Sequence, residues 1–232
     1  MARLARVIAL EVAHHVTQRG NARQFILNCD AEREVYLSLL TEGLERHQAG
    51  LIGYCLMSNH VHLVMVPRRA DALAGVLKYT HGRYAAYRNA KRGTSGHVWQ
   101  GRYYSCPLDE PHLWRALRYT ELNPVRARLV QEAEAWRWSS AAAHCGSAAA
   151  PAWLEMGEWK RRWDGVGWRS YLKCGASDSE TAALRQSTHT GRPLGSDEFV
   201  KELEEKMGRQ LAPRKGGRPA AKEDERQGEF RF

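Results

Sequence analysis

The chain of 232 residues contains no apolar run approaching the length of a membrane span. Its first dozen residues carry arginines but no apolar stretch followed by a small-residue cleavage site, so neither a membrane protein nor an exported one is expected. Five cysteines (Cys29, Cys55, Cys106, Cys145 and Cys174) are scattered, odd in number and without CxxC spacing. That pattern excludes a disulfide framework and a cysteine-built zinc ribbon, and fits a reducing cytoplasm. Acidic residues are in short supply, with Asp+Glu 26 against Lys+Arg 35 and a formal charge of +9, a balance that favours a polyanionic partner such as nucleic acid. A second HxT or HxS motif, which a two-histidine phosphodiesterase requires, is missing, and an amidohydrolase-type barrel would need a longer chain and more ligands.

Chemistry concentrates in the stretch Tyr54 to Pro67, YCLMSNHVHLVMVP. Two apolar runs meet across Met57-Ser58-Asn59, which predicts a β-hairpin whose second strand begins at His60. Side chains alternate along a strand, so His60 and His62 share one face and Val61, Leu63 and Met65 take the other. The two imidazoles form a clamp for one metal ion. No acidic residue or histidine follows within Leu63 to Pro67, so further ligands must come from elsewhere in the chain.

The first strand is expected around His14 to Arg19, ending on Gly20-Asn21, with Arg19 and Arg23 as candidate phosphate contacts. Asp30 is the expected N-cap of a first helix, in which Val35, Leu37, Leu39, Leu40 and Leu44 recur at roughly helical spacing until Gly50. A second helix begins at Asp71 and runs to about Tyr87 or Asn89. After the basic, glycine-rich loop Lys91 to Gly96, the alternating residues His97 to Ser105 predict another strand. The order is βαββαβ, an α+β fold of ferredoxin-like or RRM-like plan: an antiparallel sheet with helices on one face, leaving the open face as a nucleic-acid platform.

Asp109-Glu110-Pro111 is a helix start and Asn123-Pro124 its end. Tyr119 and Asn123, four apart, lie on one helical face, so a phenol nucleophile and a neutral oxygen ligand can be delivered together to the histidine clamp. Arg83, Arg102, Arg126 and Arg128 are candidate phosphate contacts, while Trp99 and Tyr103 would stack on bases or fill the core.

Six blocks in order carry a resemblance: HHVTQRGNARQ, YCLMSNHVHLVMVP, HGRYAAYRN, GHVWQGRYYS, LRYTELNPVRARLV and WRWSSAAAH. Over roughly His14 to His144 the chain resembles the REP-associated tyrosine transposases, relatives of the single-tyrosine HUH transposases of bacterial insertion sequences. The resemblance implies a metal-dependent endonuclease that cuts and rejoins single-stranded DNA at repetitive palindromic hairpins through a 5′-phosphotyrosine intermediate. It matches His60 and His62 to the HUH ligands, Tyr119 to the nucleophile and Asn123 to the third-ligand position, where the insertion-sequence relatives would have glutamine. Imidazole and oxygen ligands with open positions suit Mg²⁺ or Mn²⁺. A degenerate member that binds the repeat without cutting it, and RNA as the substrate, both remain open.

The expected organisation is a transposase core over 1–147, a helical extension over 148–209 and a basic, flexible tail over 210–232. Trp153, Trp159, Trp163 and Trp168 punctuate short helices of the extension, and a helix is expected from Ser196-Asp197 to about Met207. In the tail, Arg214, Lys215 and Arg218 lie in a proline-bracketed run that resembles a degenerate AT-hook, although a solvated tail is the stronger reading of it. The expected setting is the cytoplasm, in association with the nucleoid, as a monomer or homodimer.

Overall fold

A computed structural model of the protein describes residues 6–212; Arg214, Lys215 and Arg218 lie outside the described residues. Four strands form one sheet: β1 (His14–Arg19), β2 (Ala49–Leu56), β3 (His60–Pro67) and β4 (Tyr104–Pro107). Their spatial order is β2-β3-β1-β4, and every pairing is antiparallel. Helices α1 (Asp30–His47) and α2 (Ala72–Arg92) cross over between the strands, giving the βαββαβ plan expected from the sequence.

The hairpin between β2 and β3 closes where Met57 N donates to His60 O at 3.0 Å, and it sets the register that alternates β3 across the sheet. Val61, Leu63 and Met65 face α1 and α2, where they pack with Tyr36, Leu40 and Leu73. Val64 and Val66 point to the opposite face.

That opposite face is not an open platform. Helix α3 (Glu110–Glu121) follows β4 and packs on β2 and β3, burying Leu113, Trp114 and Leu117 against Ile52, Val64 and Val66. Its start is chemically marked: the Asp109 side chain accepts from His112 N at 2.9 Å, and Pro111 sits in the first turn, where no N–H is needed. The chain re-enters a short helix, α4 (Asn123–Arg126), rather than leaving at Asn123-Pro124.

Four further helices are α5 (Ala141–His144), α6 (Gly157–Arg162), α7 (Gly165–Lys173) and α8 (Asp178–Thr190). Trp159, Trp168, Leu172 and Leu184 bring α6, α7 and α8 into the apolar cluster under α3, so the helical segment beyond residue 147 shares a core with the sheet. α8 lies along β4. The last helix among the described residues, α9 (Asp197–Met207), spans the range expected for it and packs Leu203 on Val7 and Ala9.

The close fit of α3 to the sheet rests on one residue without a side chain. A Cβ on Gly53 of β2 would fall inside the van der Waals envelope of the Leu117 methyl, and 3.0 Å from Ser140 Oγ. Leu117 is fully buried and has nowhere to go. Gly53→Ala is therefore expected to cost about 1–3 kcal/mol by overpacking. Urea denaturation reads this directly, and an unchanged midpoint would mean that α3 can lift at no cost.

Candidate active site

β3 presents His60 and His62 on the α3 side of the sheet, with ring centroids 4.9 Å apart and planes nearly perpendicular. Each ring has its Nδ1 already engaged. His60 Nδ1 donates to Asn59 Oδ1 at 2.6 Å, leaving Nε2 with a lone pair. His62 Nδ1 lies 2.9 Å from Nε2 of His15, a residue of β1. His15 stands opposite Val64 in the register, so it meets His62 as a diagonal neighbour on the same face, and the two rings stack at 5.1 Å.

The hydrogen bonds continue outward. His15 Nδ1 is 2.8 Å from Thr188 Oγ1 on α8, and Thr188 Oγ1 is 3.3 Å from Cys106 Sγ on β4. One direction through this chain leaves His62 able to bind a cation: His62 Nδ1–H donates to His15, His15 Nδ1–H donates to Thr188, and the Thr188 hydroxyl donates to Cys106. The outer partner of a metal-binding imidazole ordinarily does this, fixing both tautomer and orientation. Burial also pushes His15 down to about 3 and His60 down to about 4, with Arg126 adding to the first and Arg19 and Arg126 to the second. His62 is lowered as well, first by burial and then by His60 and His15. Neutral imidazoles are the form that binds a metal.

Tyr119 enters from α3. Its ring is nearly buried and stands edge-on to His62 at 5.5 Å and to His15 at 5.9 Å. The Arg126 guanidinium lies 3.9 Å over that ring, and Arg185 of α8 donates from Nε to Tyr119 Oη at 3.1 Å. Both histidines, Tyr119, Arg19 and Arg185 line one cavity of about 660 Å³. Its volume suits a nucleotide-sized group rather than a single ion.

The other residues singled out in the sequence are distributed differently. Asn123, the first residue of α4 rather than a member of α3, turns its amide back onto the end of α3, donating from Nδ2 to the carbonyls of Tyr119 and Thr120 at 3.1 Å each, while Oδ1 accepts from Arg126 at 2.8 Å. Arg83 stacks on Tyr79 of α2, at 4.6 Å. Arg102 lines a separate groove of about 690 Å³ with Trp99, Tyr103 and His81. Arg128 sits just past α4 with a positive φ of 57°. The roles of His15, Arg185 and Thr188 were not anticipated, and only the His14-His15 doublet on an alternating strand offered any signal.

Among the described residues no group of three or more His, Cys, Asp or Glu is placed to hold a metal. The protein donors available to an ion at this cavity are thus the two imidazoles, and any further ligand would be oxygen from a carboxamide, a bound phosphate or water.

A family model described as transposase IS200 like matches residues 9–123, which carry the sheet, the histidine pair, Tyr119 and Asn123. No curated protein matches the chain. Among solved structures, the chain is similar to a REP-associated tyrosine transposase bound to a REP hairpin, with TM-score 0.51 and 14% identity over 67% of this chain and 92% of that one. A candidate transposase from Deinococcus radiodurans R1 aligns with TM-score 0.36 and 15% identity over 56% of this chain and 94% of that one.

Proposed function

The chain belongs to the IS200-like transposase family and has the fold of a REP-associated tyrosine transposase, and on that premise we propose that it cuts and rejoins single-stranded DNA at hairpin-forming repeats with Tyr119 as nucleophile. The observation that carries this reading is the convergence of His60, His62 and Tyr119 on one cavity from segments far apart in the chain. A phenol in water ionises only at about pH 10, so it is useful as a nucleophile only beside positive charge. Two guanidiniums stand at this one, Arg126 over the ring and Arg185 at the oxygen.

His60 and His62 would hold a divalent ion through Nε2, and Asn123 would complete the set through the second lone pair of Oδ1. When bound, that ion supplies charge against the non-bridging oxygens of the scissile phosphate. Tyr119 Oη forms a bond to phosphorus as the P–O3′ bond breaks, and the phenol proton ends on the departing 3′ oxygen. No water is consumed. The bond energy stays in the 5′-phosphotyrosine, so a 3′-OH can reverse the step and reseal or transfer the strand. Arg19 on the cavity wall, held by Gln100 through a 3.0 Å hydrogen bond, would take a neighbouring phosphate, and Arg83, Arg102 and Arg128 would lie along the hairpin's path.

The test is a denaturing protein gel after incubation with repeat hairpins from the host genome, labelled on the 3′ side of the cut, with Mg²⁺, Mn²⁺ or EDTA. Metal-dependent label that travels with the protein is expected. A native-gel shift without covalent label would favour a protein that recognises the repeat and does not cut. A free 5′-phosphate with no protein-linked species would mean hydrolysis by water. His62→Ala is expected to bind the hairpin yet lower adduct formation at least about 100-fold, the loss of a few kcal/mol of charge stabilisation; wild-type rates in EDTA or in this variant would remove the ion from the chemistry.

A further inference from the structure

Helix α8 begins 55 residues beyond the last residue matched by the family model, yet it touches both halves of the site. Arg185 donates to the oxygen of Tyr119, and Thr188, one turn on, engages the His15 ring that engages His62. Resting on the tyrosine reading above, we propose that Arg185 is a catalytic residue: it holds Tyr119 Oη in line for attack and presents its remaining N–H groups to the phosphate.

A guanidinium has five donors in a planar fork. The Nε–H of Arg185 is spent on Tyr119 Oη at 3.1 Å, and among the described residues no carboxylate lies within ion-pair reach of the rest. The nearest acidic residue on its own helix, Glu180, is occupied by Arg115 at 3.3 Å and Arg118 at 2.8 Å. An uncompensated cation lining a cavity, with one hydrogen on the attacking oxygen, is placed to neutralise charge as it develops on a phosphate at that oxygen. Arg185 keeps all its protons throughout. In cleavage it steadies the nucleophile, and in rejoining the same oxygen is the leaving group.

The backbone that carries Arg185 is fixed independently of its side chain. Ser177 and Glu180 form a reciprocal cap at the start of α8, Leu184 is buried in the core under α3, and Thr188 is tied to His15. Alanine is also the residue most compatible with a helix interior. Removing the guanidinium therefore leaves the helix in place.

The full-length chain would be compared as wild type, Arg185→Ala and Arg185→Lys in single-turnover adduct formation, in hairpin binding, and in the rejoining of pre-formed adduct by a 3′-OH strand. Adduct formation is expected to fall about 100-fold in Arg185→Ala, the scale for loss of one preorganised donor, and rejoining to fall by the same factor. Hairpin affinity stays near wild type. Arg185→Lys recovers only part of the rate, because a single ammonium cannot serve the phenol and the phosphate together. Unchanged or faster adduct formation in Arg185→Ala, or a loss matched by weaker hairpin binding, would overturn the assignment and leave Tyr119 standing. Absence of adduct from wild type would overturn the tyrosine reading itself, and this one with it.

Discussion

Tyr119→Phe is expected to bind the hairpin as wild type does and to form no covalent adduct with it. The substitution removes one oxygen and keeps the ring, which packs edge-on against His62 and His15 and beneath Arg126. Those contacts are made by the ring, so the local fold persists. What disappears is the atom that attacks, together with an acceptor for Arg185 Nε, whose place water can take at the cavity wall. Removing the nucleophile of a covalent mechanism costs on the order of 10⁶-fold where it has been measured, which puts the variant below detection on a gel. If label still travelled with the variant at the wild-type level, the nucleophile would lie elsewhere, and Tyr104, a second phenol lining the same cavity, would be the first to test.

The largest effect on stability is expected at Glu121, two residues further along α3. Its carboxylate is wholly inaccessible to solvent and accepts three hydrogen bonds. Ser140 Oγ donates to Oε1 at 2.5 Å, His144 Nδ1 donates to the same oxygen at 2.6 Å, and Trp168 Nε1 donates to Oε2 at 2.8 Å. One side chain thereby ties α3 to the turn before α5, to α5 itself and to α7. Glu121→Ala removes the acceptor of three buried donors, leaves the Trp168 indole N–H with none, and opens a void, which should cost about 3–5 kcal/mol, a large share of the roughly 5–15 kcal/mol that holds a domain of this size folded.

Glu121→Gln is the informative companion. A carboxamide has one acceptor oxygen, and keeping it toward Trp168 turns the NH₂ toward Ser140 and His144. The hydroxyl can adapt by donating to Tyr54 O at 3.4 Å, and the imidazole by changing tautomer, which turns its N–H to a buried Nε2 with no acceptor among the described residues. The indole N–H has no such freedom. The expected cost is accordingly smaller, about 1–2 kcal/mol. Urea titration of both variants would separate the cases, and Ala tolerated as well as Gln would show that water replaces the carboxylate.

The parts of this molecule that could be read from the chain were those in which chemistry and periodicity are local. His60 and His62 share a face because they are two apart on a strand, and Tyr119 projects from a helix whose start is written in Asp109 and Pro111. The parts that could not be read depend on register or on distant packing. His15 meets His62 only because β1 pairs with β3 in the register that places Thr17 opposite His62. Helix α8 shows little apolar repeat, with Leu184 and Thr188 its only buried residues.

The alternating residues 97–105 predicted a strand, whereas β4 begins only at Tyr104. Trp99 explains the difference: its ring stacks on His81 at 4.1 Å and its indole N–H donates to the His81 carbonyl, so aromatic spacing there records packing onto α2. At Asp30 the expected cap is displaced by one residue, to Cys29, which makes no side-chain cap.

The position of β3 has a consequence for how the site behaves as the molecule fluctuates. β3 is an interior strand, laddered to β2 on one edge and to β1 on the other. Backbone amides in such a strand are freed only in the rarest openings, those that approach global unfolding, whereas segments at the margin open often and separately. The histidine pair is therefore carried on backbone expected to open only with the fold as a whole. The spacing between His60 and His62 is thereby insulated from the local openings that reach the ends and edges of the fold.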